Sequence, residues 1–450
     1  MKNRIMLVFF ALGFWLTSFG QNTSQLDQYI EQGLKSNLVV QQRSLSLENA
    51  LNALKQARGL FLPTFDFQAQ YLSAEGGRYT ELPLGDFLNP IFNTVNGLMG
   101  APLLPEVKNE RINFLPNNYY DARFRLSVPI LNTDIIHNNS ISKKQLAIKE
   151  NELEIYEREL VKEIKVAYYH YLAAVKAQQV YHNSLTIAEE SKRVNEKLVQ
   201  AGNGLPAYIL RSESEIEQIK SQLKTVELQA NSLQRYFNAL LNREENAEII
   251  VENSESIIPF VDKAELTAQN REELNSLQLA VALRQDLVKM KKHAFVPTLG
   301  GFLDLGSQAE DFKFNDKSMY YMVGLQLNIP IFQGNRNNLK IKEAKNELEI
   351  AKLQEASVAQ QLEVAVNNAY NEVLTEKSKY ESSLKQLEMA ETYHRLIEKG
   401  YAAGTNTYLE SIDARSQLSS AKLATNINYY QFLAALARLE RETASYPLTK

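Results

Sequence analysis

Cysteine is absent from all 450 residues, so no disulfide can staple the chain. The absence fits an oxidising compartment, where a free thiol is a liability. Glycine (18) and proline (12) are scarce for this length, which implies long elements with few turns. No charge of one sign dominates: a formal net charge of −4 leaves no basic footprint for nucleic acid. No apolar run reaches the roughly 20 residues that a membrane-spanning helix needs. Any contact with a membrane must then use β-strands or an amphipathic surface. Catalytic parts are missing as well. His137, His170, His182, His293 and His394 form no HExxH or other ligand spacing, and there is no nucleophile elbow or phosphate-binding glycine loop. No enzyme, metal or cofactor is expected. What is present is apolar material: 44% of residues are hydrophobic, enough for large buried surfaces.

The N-terminus reads as an export signal. Lys2 and Arg4 precede a short apolar run, Ile5 to Leu16, and Ser18-Phe19-Gly20 supplies small residues for cleavage before Gln21. No cysteine follows the cleavage point, so no lipid anchor is expected. The sole tryptophan, Trp15, would leave with the signal.

Three motifs recur in the same order. Phe61-Leu62-Pro63-Thr64-Phe65 returns as Phe295-Val296-Pro297-Thr298-Leu299, and Ser127-Val128-Pro129-Ile130-Leu131 as Asn328-Ile329-Pro330-Ile331-Phe332. Ala201-Gly202 after Lys197 returns as Ala403-Gly404 after Lys399. Ordered recurrence of this kind indicates a duplication.

Each half carries two strand candidates. Phe65, Phe67, Ala69 and Tyr71 alternate with Asp66, Gln68 and Gln70; Tyr120, Ala122, Phe124, Leu126 and Val128 alternate with Asp121, Arg123, Arg125 and Ser127. Tyr321 to Ile329 alternates in the same way, and Leu299 to Leu305 less cleanly. A period of two over about ten residues suits a strand with one apolar face, long enough to cross a bilayer when tilted. Four strands cannot close a barrel, and lipid tolerates no open edge, so several chains must contribute if these strands enter a membrane. Three copies would supply twelve strands, within the known range.

Between the strand pairs, Ile135–Gln200 and Arg336–Lys399 hold no proline and almost no glycine. A helix of about 65 residues spans on the order of 100 Å. Leu146, Leu153, Leu160, Ala167 and Ala174 recur at sevens; so do Ile341, Leu348, Leu362 and Ala369, interleaved with Ala344, Ala351, Val358 and Ala365. These are coiled-coil seams whose small residues favour close, side-by-side helix packing. Each long helix meets a glycine-containing tip and a returning helix.

This ordered set resembles the TolC-type outer membrane efflux protein family over essentially the whole mature chain. Gly400-Tyr401-Ala402-Ala403-Gly404-Thr405, followed by Leu409, Ile412, Asp413 and Ala414, is similar to the family's second helical tip. The Leu-Pro-Thr strand entry at Leu62, its echo at Val296, and the helix from Leu26 to Asn37 match as well. The resemblance implies an α+β membrane protein, a homotrimer. Its twelve-stranded outer membrane barrel, four strands per chain, would continue into a periplasmic barrel of coiled helices. It implies partners too: a periplasmic adaptor, an inner-membrane transporter and outer membrane lipid, but no nucleic acid. The implied function is a passive exit duct for efflux or type I secretion; the alternative is a coiled-coil adaptor or structural protein of the envelope.

The resemblance also nominates residues. Glu410 and Asp413, spaced i, i+3 on one helix face, match the acidic ring of the periplasmic entrance. A confined negative ring favours cations. Gly202, Gly204, Tyr208, Tyr401, Gly404 and Asn406 are the expected tip, gating and docking residues. Asn406 and Tyr208 stand where family members carry an arginine and its acidic partner, so any latch is expected to use hydrogen bonds. Tyr119, Tyr120, Tyr320 and Tyr321, at equivalent strand starts, suit a membrane interface.

The expected layout is a signal peptide (1–20), an N-terminal helical segment (21–62) and a β-hairpin (63–131) with a long extracellular loop at 75–118. A helical hairpin (132–244, tip near 201–206), a linker (245–262) and the helix of the second repeat (263–296) follow. Last come a second β-hairpin (297–332), a second helical hairpin (333–440, tip near 400–407) and a C-terminal remnant (441–450). The loop at 75–118 is rich in Gly, Pro and Leu; a plug, a partner or lipid contact, and a plain ordered loop all remain open for it.

Overall fold

The computed structural model describes residues 24–115, 117–251 and 266–448. The expected signal peptide, residues 252–262 of the expected linker and the last two residues of the chain lie outside the described residues. In chain order the elements begin with α1 (Gln25–Ser36), α2 (Leu38–Gly59), β1 (Thr64–Leu72), β2 (Tyr79–Leu82), α3 (Leu84–Met99), β3 (Glu110–Asn113) and β4 (Tyr119–Leu131). Then come α4 (Thr133–Gln200), α5 (Pro206–Leu240), α6 (Glu272–Lys292), β5 (Thr298–Glu310), β6 (Met319–Asn328), α7 (Arg336–Ala402) and α8 (Tyr408–Glu442). The order β, β, long helix, return helix occurs twice. Among the described residues no helix is long and apolar enough to cross a membrane.

The chain divides into two compact units. The first gathers residues 1–47, 149–276 and 355–450, and its described part is helical. The 68 residues of α4 include no glycine or proline, so nothing interrupts the backbone ladder. The heptad residues Leu160, Ala167 and Ala174 of α4 and Leu362 and Ala369 of α7 are buried. The largest core joins Tyr29 and Ile30 of α1 to Leu160, Val161 and Ile164 of α4, Phe237 of α5 and Leu433 of α8. Phe237 meets Tyr29 edge-on, with ring centroids 5.1 Å apart. Burying each such large apolar side chain stabilises the fold by roughly 1.5–3 kcal/mol.

One end of this unit is fastened by ions. Arg271 forks onto Glu273 (Nη2–Oε1 2.7 Å, Nε–Oε2 3.1 Å) and also reaches Glu442. Arg441 of α8 adds a second cation to Glu273 at 2.6 Å and bonds Glu159 of α4 at 3.1 Å. Arg158 donates to Glu272 and to the carbonyl of Tyr446, so the expected C-terminal remnant is tied into the unit. Burial pushes the Glu273 carboxyl up, but Arg271 and Arg441 outweigh it and hold it at about 2. A carboxylate with a depressed folded-state pKa stabilises the protein above its unfolded value, and that stability is lost as pH falls through the folded value.

The second unit, residues 48–148 and 277–354, holds the sheets. One is antiparallel with the order β1-β4-β5-β6; the other is the pair β2-β3. Register runs from Thr64↔Ser127 to Leu72↔Tyr119 for β1 and β4, and from Thr298↔Asn328 to Ser307↔Met319 for β5 and β6. The outer edges of β1 and β6 have no ladder partner among the described residues. Strand alternation sorts the two faces. Phe65, Phe67, Phe124, Tyr321, Val323 and Leu325 share one face, and all six are exposed, Val323 by 71% and Leu325 by 72%. On the other face Arg125 forks onto the fully buried Asp304 (2.7 and 2.6 Å), and Arg123 bonds Asp121 at 3.0 Å and Gln68. This polarity is inverted relative to a soluble sheet, which buries its apolar face. The segment 75–118 is not a simple loop: β2, α3 and β3 form an ordered insert within it.

Replacing Glu273 by Gln is expected to cost on the order of 3 kcal/mol at pH 7, because two buried guanidiniums lose their shared counter-charge. Thermal melts followed by circular dichroism should show the wild-type melting temperature falling between about pH 4.5 and 2. The variant should start lower and lose less over that interval; equal pH slopes would contradict this assignment.

Candidate functional site at the helical tips

Both tips are built by the same backbone device. At the end of α4, Gly202 takes φ +76°, its N–H bonds Val199 O (3.0 Å), and Asn203 N–H bonds Leu198 O (2.9 Å). At the end of α7, Gly404 takes φ +75°, its N–H bonds Tyr401 O (3.0 Å), and Thr405 N–H bonds Gly400 O (2.8 Å). This is the Schellman arrangement, which requires a left-handed residue and so selects glycine. Gly204 meets a different demand: a Cβ there would lie 2.7 Å from Val199 N, so the first tip closes only around a hydrogen. Pro206 then opens α5 at a position that needs no N–H.

The second tip restarts on Thr407. Its hydroxyl accepts from Glu410 N (3.3 Å), while Glu410 Oε2 accepts from Thr407 N (2.6 Å), Thr407 Oγ1 (3.1 Å) and Asn406 Nδ2 (3.2 Å). Glu410 therefore closes a capping box. The Thr407 backbone N–H, followed by Asn406 and the Thr407 hydroxyl, holds its carboxyl below the usual range, so it is ionised at neutral pH. Asp413, the next acid on the helix, is exposed and accepts from Gln417 Nε2 at 2.8 Å.

Tyr408 is the centre of the tip region, and its role has no local signature in the sequence. It is 1% exposed, and its hydroxyl lies 2.7 Å from Ser212 Oγ of α5 and 3.3 Å from Ser191 Oγ of α4. Ser212 in turn receives Asn195 Nδ2 at 3.1 Å and donates to Tyr208 O at 2.8 Å. The rings of Tyr208 and Tyr401 pack on Tyr408 at 5.1 and 5.9 Å. Thus Tyr208 and Tyr401 contribute faces to one aromatic cluster, whereas Asn406 belongs to the helix cap. One turn further, Ser411 donates to Glu398 of α7 at 2.5 Å.

An ion pair does link the two hairpins, at positions other than those the family pattern suggests. Arg415 of α8 faces Glu215 of α5 at 3.7 Å, too far for a hydrogen bond. Among the described residues, neither Arg415 Nε and Nη2 nor Glu215 Oε2 has a hydrogen-bond partner. Burial raises the Glu215 carboxyl, partly countered by Arg415 and Arg211. The pair lines a cavity of about 410 Å³ together with Arg211, Asp413 and Lys422.

The four strand-start tyrosines separate by face. Tyr119 Oη donates to Gln308 (2.7 Å) and Tyr320 Oη to Asp121 (2.9 Å), both on the polar face. Tyr120 and Tyr321 lie on the apolar face: Tyr321 is 76% exposed, and Tyr120 is buried beneath Phe312 and Phe314, its hydroxyl 2.8 Å from Ser307 Oγ.

A family model described as outer membrane efflux protein matches residues 264–444. Alkaline protease secretion protein AprF of Pseudomonas aeruginosa is 25% identical over 177 residues, 39% of this chain and 37% of AprF. Outer membrane protein TolC of Escherichia coli K12 is 26% identical over 203 residues, 42% of this chain and 41% of TolC. The chain spans about two fifths of the length of the curated relatives it matches. The crystal structure of the Campylobacter jejuni CmeC outer membrane channel superposes with a TM-score of 0.75 at 17% identity, covering 93% of this chain and 85% of that one. The resemblance to the TolC-type efflux family is thus present in both sequence and fold.

Removing only the Tyr408 hydroxyl, as Tyr408→Phe, leaves Ser212 short of a buried partner, at a cost of about 1–3 kcal/mol. Amide hydrogen exchange around 195–212 and 408–415 should accelerate roughly 5- to 100-fold, with distant helices unchanged. Unaltered exchange at the tips would show that the hydroxyl contributes nothing there.

Proposed function

We propose that this chain is the outer membrane exit duct of a tripartite efflux or secretion system, working as a homotrimer with a periplasmic adaptor and an inner-membrane transporter. The observation that carries the reading is the four-stranded sheet. Among the described residues it has two free edges and an exposed apolar face, which water does not tolerate and which lipid tolerates only once the edges are closed. Three copies joined edge to edge, β1 of one against β6 of the next, give a twelve-stranded barrel. The apolar face then turns to lipid, and the face bearing Gln68, Asp121, Arg123, Arg125 and Asp304 turns to the water-filled lumen.

Transport through such a duct needs no reacting group. It needs a wet lumen, a narrow entrance and a surface for the adaptor. The tips form the entrance. Gly202, Gly204 and Gly404 shape the turns presented to the adaptor, and the Tyr208–Tyr401–Tyr408 cluster with Ser212 holds the two hairpins of each chain together. Glu410 and Asp413, repeated three times, form a negative ring that enriches cations. The capping role of Glu410 does not remove its charge; the depressed pKa keeps that charge in place at neutral pH. Any latch therefore combines the buried hydroxyl network, which salt screens little, with one loosely engaged ion pair, Arg415–Glu215.

Single-channel recording in planar bilayers tests the reading, with variants that separate charge from folding. Glu410→Gln/Asp413→Asn removes two charges per chain while Gln still fills the capping box. The expected result is a cation-selective pore whose selectivity falls in the double variant. Selectivity equal to wild type would place the constriction elsewhere. Absence of conductance from folded protein, even with Tyr408→Phe loosening the tips, would overturn the channel itself.

A further inference from the structure

The insert between β1 and β4 is a folded module whose amphipathicity runs the wrong way for water. Helix α3 carries Leu84, Phe87, Ile91, Val95 and Leu98 at helical spacing along one side, and all are exposed, Phe87 by 71% and Leu98 by 83%. Its other side binds its own chain. Asn89 donates to Val107 O and accepts from Val107 N, both at 2.8 Å; seven residues on, Asn96 donates to Leu104 O and accepts from Leu103 N and Leu104 N, each at 2.9 Å. Asn109 caps the helix start through Gly85 N at 3.0 Å, and Gly85 has no room for a Cβ against Val107 O. Polar side chains thus fix the return segment to the helix, and the apolar stripe is left facing outward.

The module is also held in place. Phe114 N–H bonds Arg78 O at 2.9 Å, Arg78 lies over the Phe114 ring at 4.5 Å, and Arg111 lies over Tyr79 at 3.6 Å. Where the insert leaves and rejoins the large sheet, Tyr71 Oη bonds Asn118 (3.1 Å), and Asn118 Nδ2 bonds Asp311 (2.8 Å). There the apolar face of the large sheet ends in four stacked rings: Phe312 lies 5.6 Å from Tyr71 and 5.7 Å from Tyr120, and Phe314 lies 4.6 Å from Tyr120. Six residues (73–78) lead from β1 to β2, and five (114–118) from β3 to β4, so short connections tie the module to the end of the sheet that carries this aromatic rim.

We propose that α3 lies in the plane of the outer leaflet with its Leu84–Phe87–Ile91–Leu98 stripe sunk into lipid, a membrane-surface anchor beside the barrel rim. The occupant follows from continuity and charge. The stripe belongs to an insert that springs from the aromatic end of a face that, on the reading given under Proposed function, already meets lipid. A second copy of the helix is disfavoured, because residues 79–107 carry Glu81, Asp86 and Glu106 and no Lys or Arg to offset them. Binding then depends on buried apolar area, not on headgroup charge, and is insensitive to salt.

Tryptophan provides the test, since the sequence has only Trp15. In a Trp15→Phe background, Phe87→Trp and Leu98→Trp report on the stripe, and Leu325→Trp on the apolar face of the sheet. Each full-length protein is reconstituted into phosphatidylcholine vesicles with brominated acyl chains. The expected result is quenching of Phe87→Trp and Leu98→Trp comparable with that of Leu325→Trp, unchanged at high salt. Quenching of Leu325→Trp alone would overturn the anchor and leave the channel reading standing; blue-shifted emission from residue 87 would then mean that protein covers the stripe. Absence of quenching at all three positions would remove the membrane reading and the anchor with it.

Discussion

The free edges of β1 and β6 constrain everything else in this protein. Among the described residues, each presents a row of unpaired N–H and C=O groups along a sheet whose apolar face has no cover. Unsatisfied backbone groups in hydrocarbon cost several kcal/mol each, so a single copy of this sheet is unstable in lipid. In water the same sheet exposes a contiguous apolar surface, which invites association. On the proposed reading, closure with other copies of the chain satisfies both demands. On the proposed reading the polar face, with its Arg125–Asp304 fork, then lines water, and the inverted polarity of the sheet becomes the correct one.

The helical unit meets a different requirement, that of keeping two hairpins in register over great length without a wide core. Small residues at the seams allow close approach, and two networks fasten the helices to one another. One is the ionic network around Glu273, and the other is the tip network around Tyr408. The tip network is hydrogen-bonded and aromatic, with the Arg415–Glu215 pair left partly unsatisfied beside a cavity. On the proposed reading, a well-satisfied hydroxyl network next to a loose ion pair suits an entrance that must hold and yet open.

Much of this was legible in the sequence, for physical reasons. Alternation at Tyr120–Val128 and Tyr321–Ile329 could only be a two-faced strand, and the lack of Gly and Pro from Ile135 to Gln200 left no alternative to one helix. The heptad positions Leu160, Ala167 and Ala369 are buried as the spacing requires. Other features were hidden. Glu410, which the resemblance nominates as a ring acid, also closes the Thr407 capping box and does so with its charge intact. Tyr408–Ser212 and Arg415–Glu215 join residues about 200 positions apart, and nothing local marks them. In the insert, Gly85, Pro90 and Gly97 favour a loop; only the Asn89 and Asn96 bonds to the return segment explain why a helix forms.

Edge closure is the central claim, and the absence of native cysteine makes it directly measurable. Ala69→Cys on β1 would be combined in turn with Tyr321→Cys, Val323→Cys and Leu325→Cys on β6, all on one face of the sheet. Disulfides need Cα atoms about 4.4–6.8 Å apart, a distance that only paired edges provide. Under oxidation in native membranes, at least one combination should yield chains linked covalently into closed trimers that reductant separates. Folded protein that gives no inter-chain link in any combination would contradict the shared barrel.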